Sequence, residues 1–406
     1  MDNVKVLIVG SDANAYYMAR CAHEAFDKKP HVISKTPWFF TDYSKIFTIE
    51  YHDDLWDEKK FVKYINDYSN ANSDSRILLV CCNDTYVEYL SKNQTKLNKN
   101  LYFARHKPEN LASFQDKEKF YKTYANSTLD FAETKYFDVK KDTNVPKMTY
   151  PIVVKPTNVI KYSHLSFKGK KKIYRLENEN ELKECIKTIK ASGYDDKLIL
   201  QEYIEGDDTY MFDCVVYVDH NNKVSLQSFA QVGLQDQSAG AIGNLTCILN
   251  GYCSFENAPV QKAKQKIKEF FETHEYSGFA DADIKYDKKS NTFKILEINA
   301  RQGRGSYYVS ACGYNLIKVM VDDLIFGKTF DYVDLNKEQL LTFVPKNIIK
   351  KYIHNKKVRD KALQLWKTRV NPLVYKKDNR LMRKYIIKRR QLAYNKAYKN
   401  PYWTVK

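Results

Sequence analysis

The stretch GFADADIKYDKKSNTFKILEINARQGRGSYY, residues 278–308, decides how the chain folds and what it can hold. Its two halves read as strands joined by the polar turn 288–291. In the second strand Leu296, Ile298 and Ala300 alternate with Glu297, Asn299 and Arg301, the period-two pattern of a half-buried strand. With the turn centred at residue 290, positions summing to 580 face one another, which sets Asp283 opposite Glu297. Directly opposed side chains lie about 4.5–5.5 Å apart at Cβ. Asn299 shares their face. Two facing carboxylates and an amide oxygen, without histidine or cysteine, make a hard oxygen donor set suited to magnesium completed by phosphate oxygens. Arg301 continues the face toward an outer phosphate. A solvated strand face with cross-strand charges would account for Asp283 and Glu297 alone, but less well for the whole series.

Upstream, VKVLIVG (4–10), ILLVCCND (77–84) and LYFAR (101–105) read as buried strands, with helices over 13–26 and from about Tyr86. Strands alternating with helices predict an open parallel α/β domain. It has a lone Gly10 rather than GxGxxG, which argues against a dinucleotide site. A helix is expected over 113–126. The pattern then changes to hairpins interrupted by helices. PIVVKP (151–156), KKIYRLEN (171–178), LILQEYIEG (198–206) and a hairpin over 211–232 are strands, and 179–192 and 259–274 are helices, an α+β arrangement. Lys155 sits in an otherwise apolar strand, where an unpaired ammonium is costly and a bound phosphate would neutralise it. A lysine snorkelling from a strand edge is the plainer reading. The expected organisation is an N-terminal domain over 1–110, a two-lobed domain over 111–330 and a basic helical tail over 331–406.

In order, these pieces resemble the ATP-grasp superfamily: an α/β domain, a DK in a helix, a VVKP strand, an EYIEG strand and a D…ExNxR hairpin. The resemblance covers roughly residues 4–328. Within the superfamily, several runs resemble the D-aspartate ligases of Gram-positive bacteria. These are VGSDANAYYMAR (9–20), YSKI (43–46), KPTNVIKYSHLSFKGKKK (155–172), QEYIEGDD (201–208), AIGN (241–244) and EINARQGRGSYYV (297–309).

Position by position, the resemblance implies that Lys117 and Lys155 hold the α- and β-phosphates. Gln201, Glu202, Tyr203 and Ile204 would line the adenine pocket and Asp208 would take the ribose. Asp283, Glu297 and Asn299 would bind Mg2+, and Arg301 would face the γ-phosphate. The loop around Lys168, Gly169 and Lys170 would close over the phosphates. Two departures stand out. That loop is lysine-rich and glycine-poor, and Asp281 occupies a position where many members carry an arginine. Arg301 or Arg304 is then the expected catalytic cation. Arg304, with Ser306 and Tyr307, is assigned to an amino-acid carboxylate, which a planar guanidinium fits.

The implied reaction is ADP-forming amide synthesis from ATP, through an acyl phosphate. It would join D-aspartate to the lysine side chain of a peptidoglycan stem-peptide precursor. A ligase for another amino acid and a small amine or peptide is one alternative. An idle nucleotide- or nucleic-acid-binding protein is the other.

Charge is distributed unevenly. Of a net +18, residues 331–406 carry +16, with 21 Lys and Arg against 5 Asp and Glu. Leu381, Met382, Tyr385, Ile386, Leu392 and Ala393 fall near one helical face among many cations. Such a helix suits an anionic membrane surface. Interleaved tyrosine and lysine also suit nucleic acid, the less favoured partner, and a solvated helix packed on the body is the third reading. The start lacks a secretory leader pattern. The eight cysteines are scattered without CxxC pairs, as in a reducing compartment. The expected location is therefore the cytoplasm, at the inner face of the membrane.

Overall fold

The computed structural model describes residues 3–158, 161, 162, 164–171, 173–238, 241 and 243–399. Ile242 of AIGN, four positions of the run 155–172 (Val159, Ile160, Ser163 and Lys172) and tail residues 400–406 lie outside the described residues.

A parallel sheet contains β1 (Val4–Val9), β2 (His31–Ser34), β3 (Thr48–Tyr51), β4 (Arg76–Cys81) and β5 (Leu101–Tyr102), in the order β3-β2-β1-β4-β5. Its central strands are apolar runs because helices cover both faces of such sheets. Helix Ala13–Phe26 has the expected span, and Asp12 caps it by accepting the Ala15 N–H at 3.0 Å. The short strands β2 and β3 escaped the sequence reading. Each has four residues, and β3 is a largely exposed edge.

A second, antiparallel sheet contains β6 (Thr134–Asp138), β7 (Ile152–Pro156), β8 (Tyr174–Leu176) and β9 (Lys197–Glu202), in the order β6-β9-β7-β8. Helix Glu179–Ala191 buries Leu182, Ile186 and Ile189 in the core of this lobe. The third sheet has eight strands: β10 (Met211–Val218), β11 (Val224–Ser228), β12 (Ala230–Gln235), β13 (Leu245–Asn250), β14 (Gly278–Asp287), β15 (Thr292–Asn299), β16 (Val333–Leu335) and β17 (Gln339–Thr342). Its main path is β15-β14-β10-β12-β13-β17, and β11 bridges β10 to β16.

Three local features differ from expectation. The single helix over 113–126 is two helices, Pro108–Gln115 and Lys117–Thr123. Asp116 breaks them with an extended backbone and caps the second by accepting the Lys119 N–H. That break places Lys117 at a helix start. The 580 register holds from Asp281–Asn299 to Asp283–Glu297 and then slips by one, so that Ile284 pairs with Ile295. Leu296 is the bulged residue, and its carbonyl accepts the Tyr121 hydroxyl at 2.8 Å.

The third difference concerns the basic end. Residues 331–406 do finish in helices, but they begin as strands β16 and β17 of the main sheet. Leu340, Leu341, Phe343, Ile348 and Ile349 are buried in the core that the main sheet shares with the N-terminal domain. The last helix, Leu381–Lys399, docks through Arg383, Tyr394 and Tyr398. Arg383 is 1% exposed, lies 4.0 Å from the Tyr16 ring centroid and pairs with Asp378 at 3.6 Å. The composition hid this because its many cations sit on the outer faces of elements whose inner faces are apolar.

Candidate active site

Some of the expected site residues meet where the four-stranded sheet faces the end of the β14–β15 hairpin: Lys117 pairs with Glu297, and Glu202 is hydrogen-bonded to Lys294 of β15. Asp283 and Glu297 are cross-strand partners, and Asp213 of β10 is the partner of Asp283 on its other side. Burial, then the facing Glu297 carboxylate, pushes Asp283 well above the usual carboxylate range. Glu297 goes the other way: burial alone would raise it, but Lys117 holds it low. The Lys117 ammonium lies 2.7 Å from Glu297 Oε2. A carboxylate pair in this state is relieved by a shared proton or by a cation. Asn299 stands two residues on, its amide 3.4 Å from the Asp281 carbonyl. The donor chemistry therefore fits a small divalent cation whose remaining ligands come from phosphate and water. Among the described residues no group of three or more His, Cys, Asp or Glu gathers as a metal cluster.

Lys155 reaches from β7 to donate to Gln201 Oε1 at 3.2 Å, and Gln201 donates to Thr134 Oγ1 at 2.9 Å. Glu202 accepts from Lys294 at 2.7 Å, which joins the small lobe to β15. The Tyr203 ring has the Arg175 guanidinium 4.3 Å from its centroid, and Ile204 is buried beside it in sequence. Asp208 is turned onto β12. It accepts the Gln235 backbone N–H at 2.8 Å and the Gln235 side chain at 2.9 Å, and burial raises it. Lys170 donates to the Leu165 carbonyl within its own loop and lies 5.4 Å from the Tyr162 ring centroid.

The arginines separate. Arg301 forms a two-pronged pair with Asp84 of the N-terminal domain, at 2.7 and 3.1 Å. Arg304 instead faces Asp236 at 3.5 Å and donates to the Tyr394 hydroxyl at 3.2 Å. Ser306 and Tyr307 are not brought to Arg304. The buried Ser306 hydroxyl accepts the Gly303 N–H at 2.8 Å, and the Tyr307 hydroxyl donates to Glu24 at 3.0 Å.

Lys285 and Asp213 had no place in the sequence reading. Lys285 follows Asp281 and Asp283 at period two on β14 and donates to the Gly206 carbonyl at 3.1 Å. Burial lowers it to about 8. Its signal was the same alternation, unread on this strand beyond Asp283. Asp281 is pushed well above the carboxylate range by burial and by Asp213, whose carboxyl accepts the Tyr308 hydroxyl at 2.6 Å. A Cβ on Gly303 would fall 1.4 Å from Asp281 Oδ2, so the glycine of QGRG is required by this close approach. Asp281 is thus packed into the sheet beneath the hairpin exit.

No protein-family model matches the chain. A D-aspartate ligase of Enterococcus faecium (strain Aus0004) is 29% identical over 396 residues, covering 94% of this chain and 92% of that protein. Among solved structures, the N5-carboxyaminoimidazole synthetase of Staphylococcus aureus complexed with ADP superposes with a TM-score of 0.59 at 13% identity, over 87% of this chain and 86% of that one. The L-amino acid ligase of Bacillus licheniformis gives 0.54 at 15% identity, over 80% and 75%. The chain thus shares its fold with these two enzymes and is similar along almost its whole length to a D-aspartate ligase.

Proposed function

We propose that this enzyme uses MgATP to join D-aspartate to the lysine side chain of a peptidoglycan stem-peptide precursor. The full-length likeness to a D-aspartate ligase supports the choice of acid. The observation that carries the chemistry is the Asp283–Glu297 pair with Lys117 at its mouth. Asp283, Glu297 and Asn299 would hold Mg2+, which when bound neutralises charge on the transferring phosphoryl group.

The chain's own residues position the reactants. Lys117 exchanges Glu297 for phosphate when the nucleotide enters, and Lys155 meets the phosphates from the opposite sheet. Gln201 to Ile204 and Asp208 hold adenine and ribose, and Lys170 covers the phosphates from its loop. Arg304 holds one carboxylate of the acid while the other attacks the γ-phosphorus, giving an acyl phosphate and ADP. The acceptor amine then attacks the acyl carbon, and phosphate leaves as the amide forms. Holding the reactants in line, with cations around the phosphates, supplies the catalysis. The reaction needs no side-chain nucleophile.

Phosphate release measured across D- and L-amino acids, with a lysine-containing stem peptide as acceptor, tests this reading. Release and amide formation with D-aspartate support it. Release with only another acid would replace the substrate, and release without any acid would remove the ligase mechanism.

The last helix supports a location at the inner membrane face. Leu381, Met382, Tyr385 and Leu392 point outward, with Lys388, Arg389 and Lys396 exposed among them. Exposed apolar side chains among cations would suit contact with an anionic lipid surface. No described helix is long and apolar enough to cross a membrane.

A further inference from the structure

The inner face of the same helix points to a second role. Its Arg390 reaches Asp236 Oδ2 at 3.2 Å, and Arg304 reaches the same oxygen at 3.5 Å. Two guanidinium groups thus share one carboxylate. Asp236 is fully buried, and its other oxygen accepts the Ser238 N–H at 2.9 Å. Aromatic rings enclose the pair. Phe40 and Phe343 lie 5.6 and 5.0 Å from Arg304, and Phe39 and Tyr394 lie 5.3 and 4.8 Å from Arg390. The Nε of each arginine has no hydrogen-bond partner among the described residues. The buried Asp12 caps its own helix and feels the charge of Arg304, without forming an ion pair with either arginine among the described residues.

Partly buried cations in excess of their anions are costly unless a further anion arrives. Both side chains keep some exposure, 13% for Arg304 and 23% for Arg390, so the arrangement is open to a small ligand. Arg304 lies just beyond the end of β15, the strand that carries Glu297 and Asn299. The walls come from three parts of the chain: the loop carrying Phe39 and Phe40, the main sheet, and the C-terminal helix.

We propose that Arg390 and Arg304 form a paired clamp for the non-reacting carboxylate of the acid substrate. The C-terminal helix thereby selects acids that carry two carboxylates. Asp236 is a positioning residue that holds the two guanidiniums side by side. This deepens the assignment of Arg304 above and rests on it. A planar fork on each side of one carboxylate supplies charge-assisted hydrogen bonds that a neutral side-chain amide cannot replace.

The test is steady-state kinetics of the full-length enzyme and its Arg390→Ala and Arg390→Lys variants, with D-aspartate and the other acidic amino acids. Losing charge-assisted hydrogen bonds should raise the KM for the dicarboxylic acid by roughly ten- to hundred-fold. KM for ATP should stay within about two-fold, and Arg390→Lys should fall between. An unchanged acid KM, or acid and ATP constants worsening together, would overturn the clamp. If Arg390→Ala fails to fold, Arg390→Lys decides alone, because it keeps the charge and loses the fork. Should the parent enzyme turn over a different dicarboxylic acid, the D-aspartate reading falls and the clamp stands for the same test. Should it use only monocarboxylic acids, the clamp itself falls.

Discussion

Lys117 Nζ lies 2.7 Å from Glu297 Oε2, so a residue assigned to phosphate is paired with one assigned to metal. In the nucleotide-free protein the lysine supplies the positive charge that a cation would bring. Lys117→Met should therefore affect the two ligands in opposite directions. KM for ATP should rise by roughly ten-fold, the loss of one charged hydrogen bond. Mg2+ titrated without nucleotide should raise the melting temperature at lower concentration than in the parent. Identical magnesium responses would show that the lysine does not compete for Glu297.

Arg301 is held by Asp84 from the N-terminal domain. If the guanidinium leaves that partner for the γ-phosphate, Asp84→Asn should make it available earlier. KM for ATP should then fall by about five-fold, equivalent to ~1 kcal/mol. A lower melting temperature with unchanged KM would mean that the pair only ties the domains together.

His106 gives a pH dependence unrelated to catalysis. Its ring is buried, packs 4.7 Å from the Tyr276 ring centroid, and is lowered by burial from 6.5 to about 4. The unfolded chain takes up this proton as pH falls below about 6.5 and the folded chain does not until about 4. Its contribution to stability is therefore complete above pH 6.5 and is lost as pH falls toward 4, by about 3 kcal/mol. His106→Phe should flatten that part of the urea-denaturation pH profile, and an unaltered slope would refute the assignment.

The outward stripe of the last helix predicts lipid contact. Full-length protein should pellet with anionic liposomes, less so as salt rises. Replacing Leu381 and Leu392 by serine, together with Lys388→Glu and Arg389→Glu, should abolish pelleting. These residues are exposed, so the melting temperature should hold. Pelleting that survives all four changes would remove the membrane role.

What the sequence made legible was local. Asp283 opposite Glu297 followed from alternation and a turn centre, and the bulge at Leu296 falls just beyond that pair and leaves it intact. The helix expected over 13–26 forms with that span, and the structure adds its Asp12 cap. What stayed hidden was long-range. Arg301 meets Asp84 across 217 residues, and Arg390 meets Asp236 across 154. Such pairs leave no periodic trace in one chain. Strands β16 and β17 were masked differently: they are short, and they lie in a segment whose charge dominates its composition.

The most direct test of the account is trapping the acyl phosphate with hydroxylamine in place of the amine acceptor. With ATP, Mg2+ and D-aspartate, the parent enzyme should form the aspartyl hydroxamate and ADP in equal amounts. Glu297→Gln, which leaves Asp283 facing an amide, should lower the rate by at least roughly a hundred-fold, as loss of a metal-supporting carboxylate implies. ADP formed by the parent without hydroxamate, or hydroxamate formed equally well by Glu297→Gln, would contradict the mechanism.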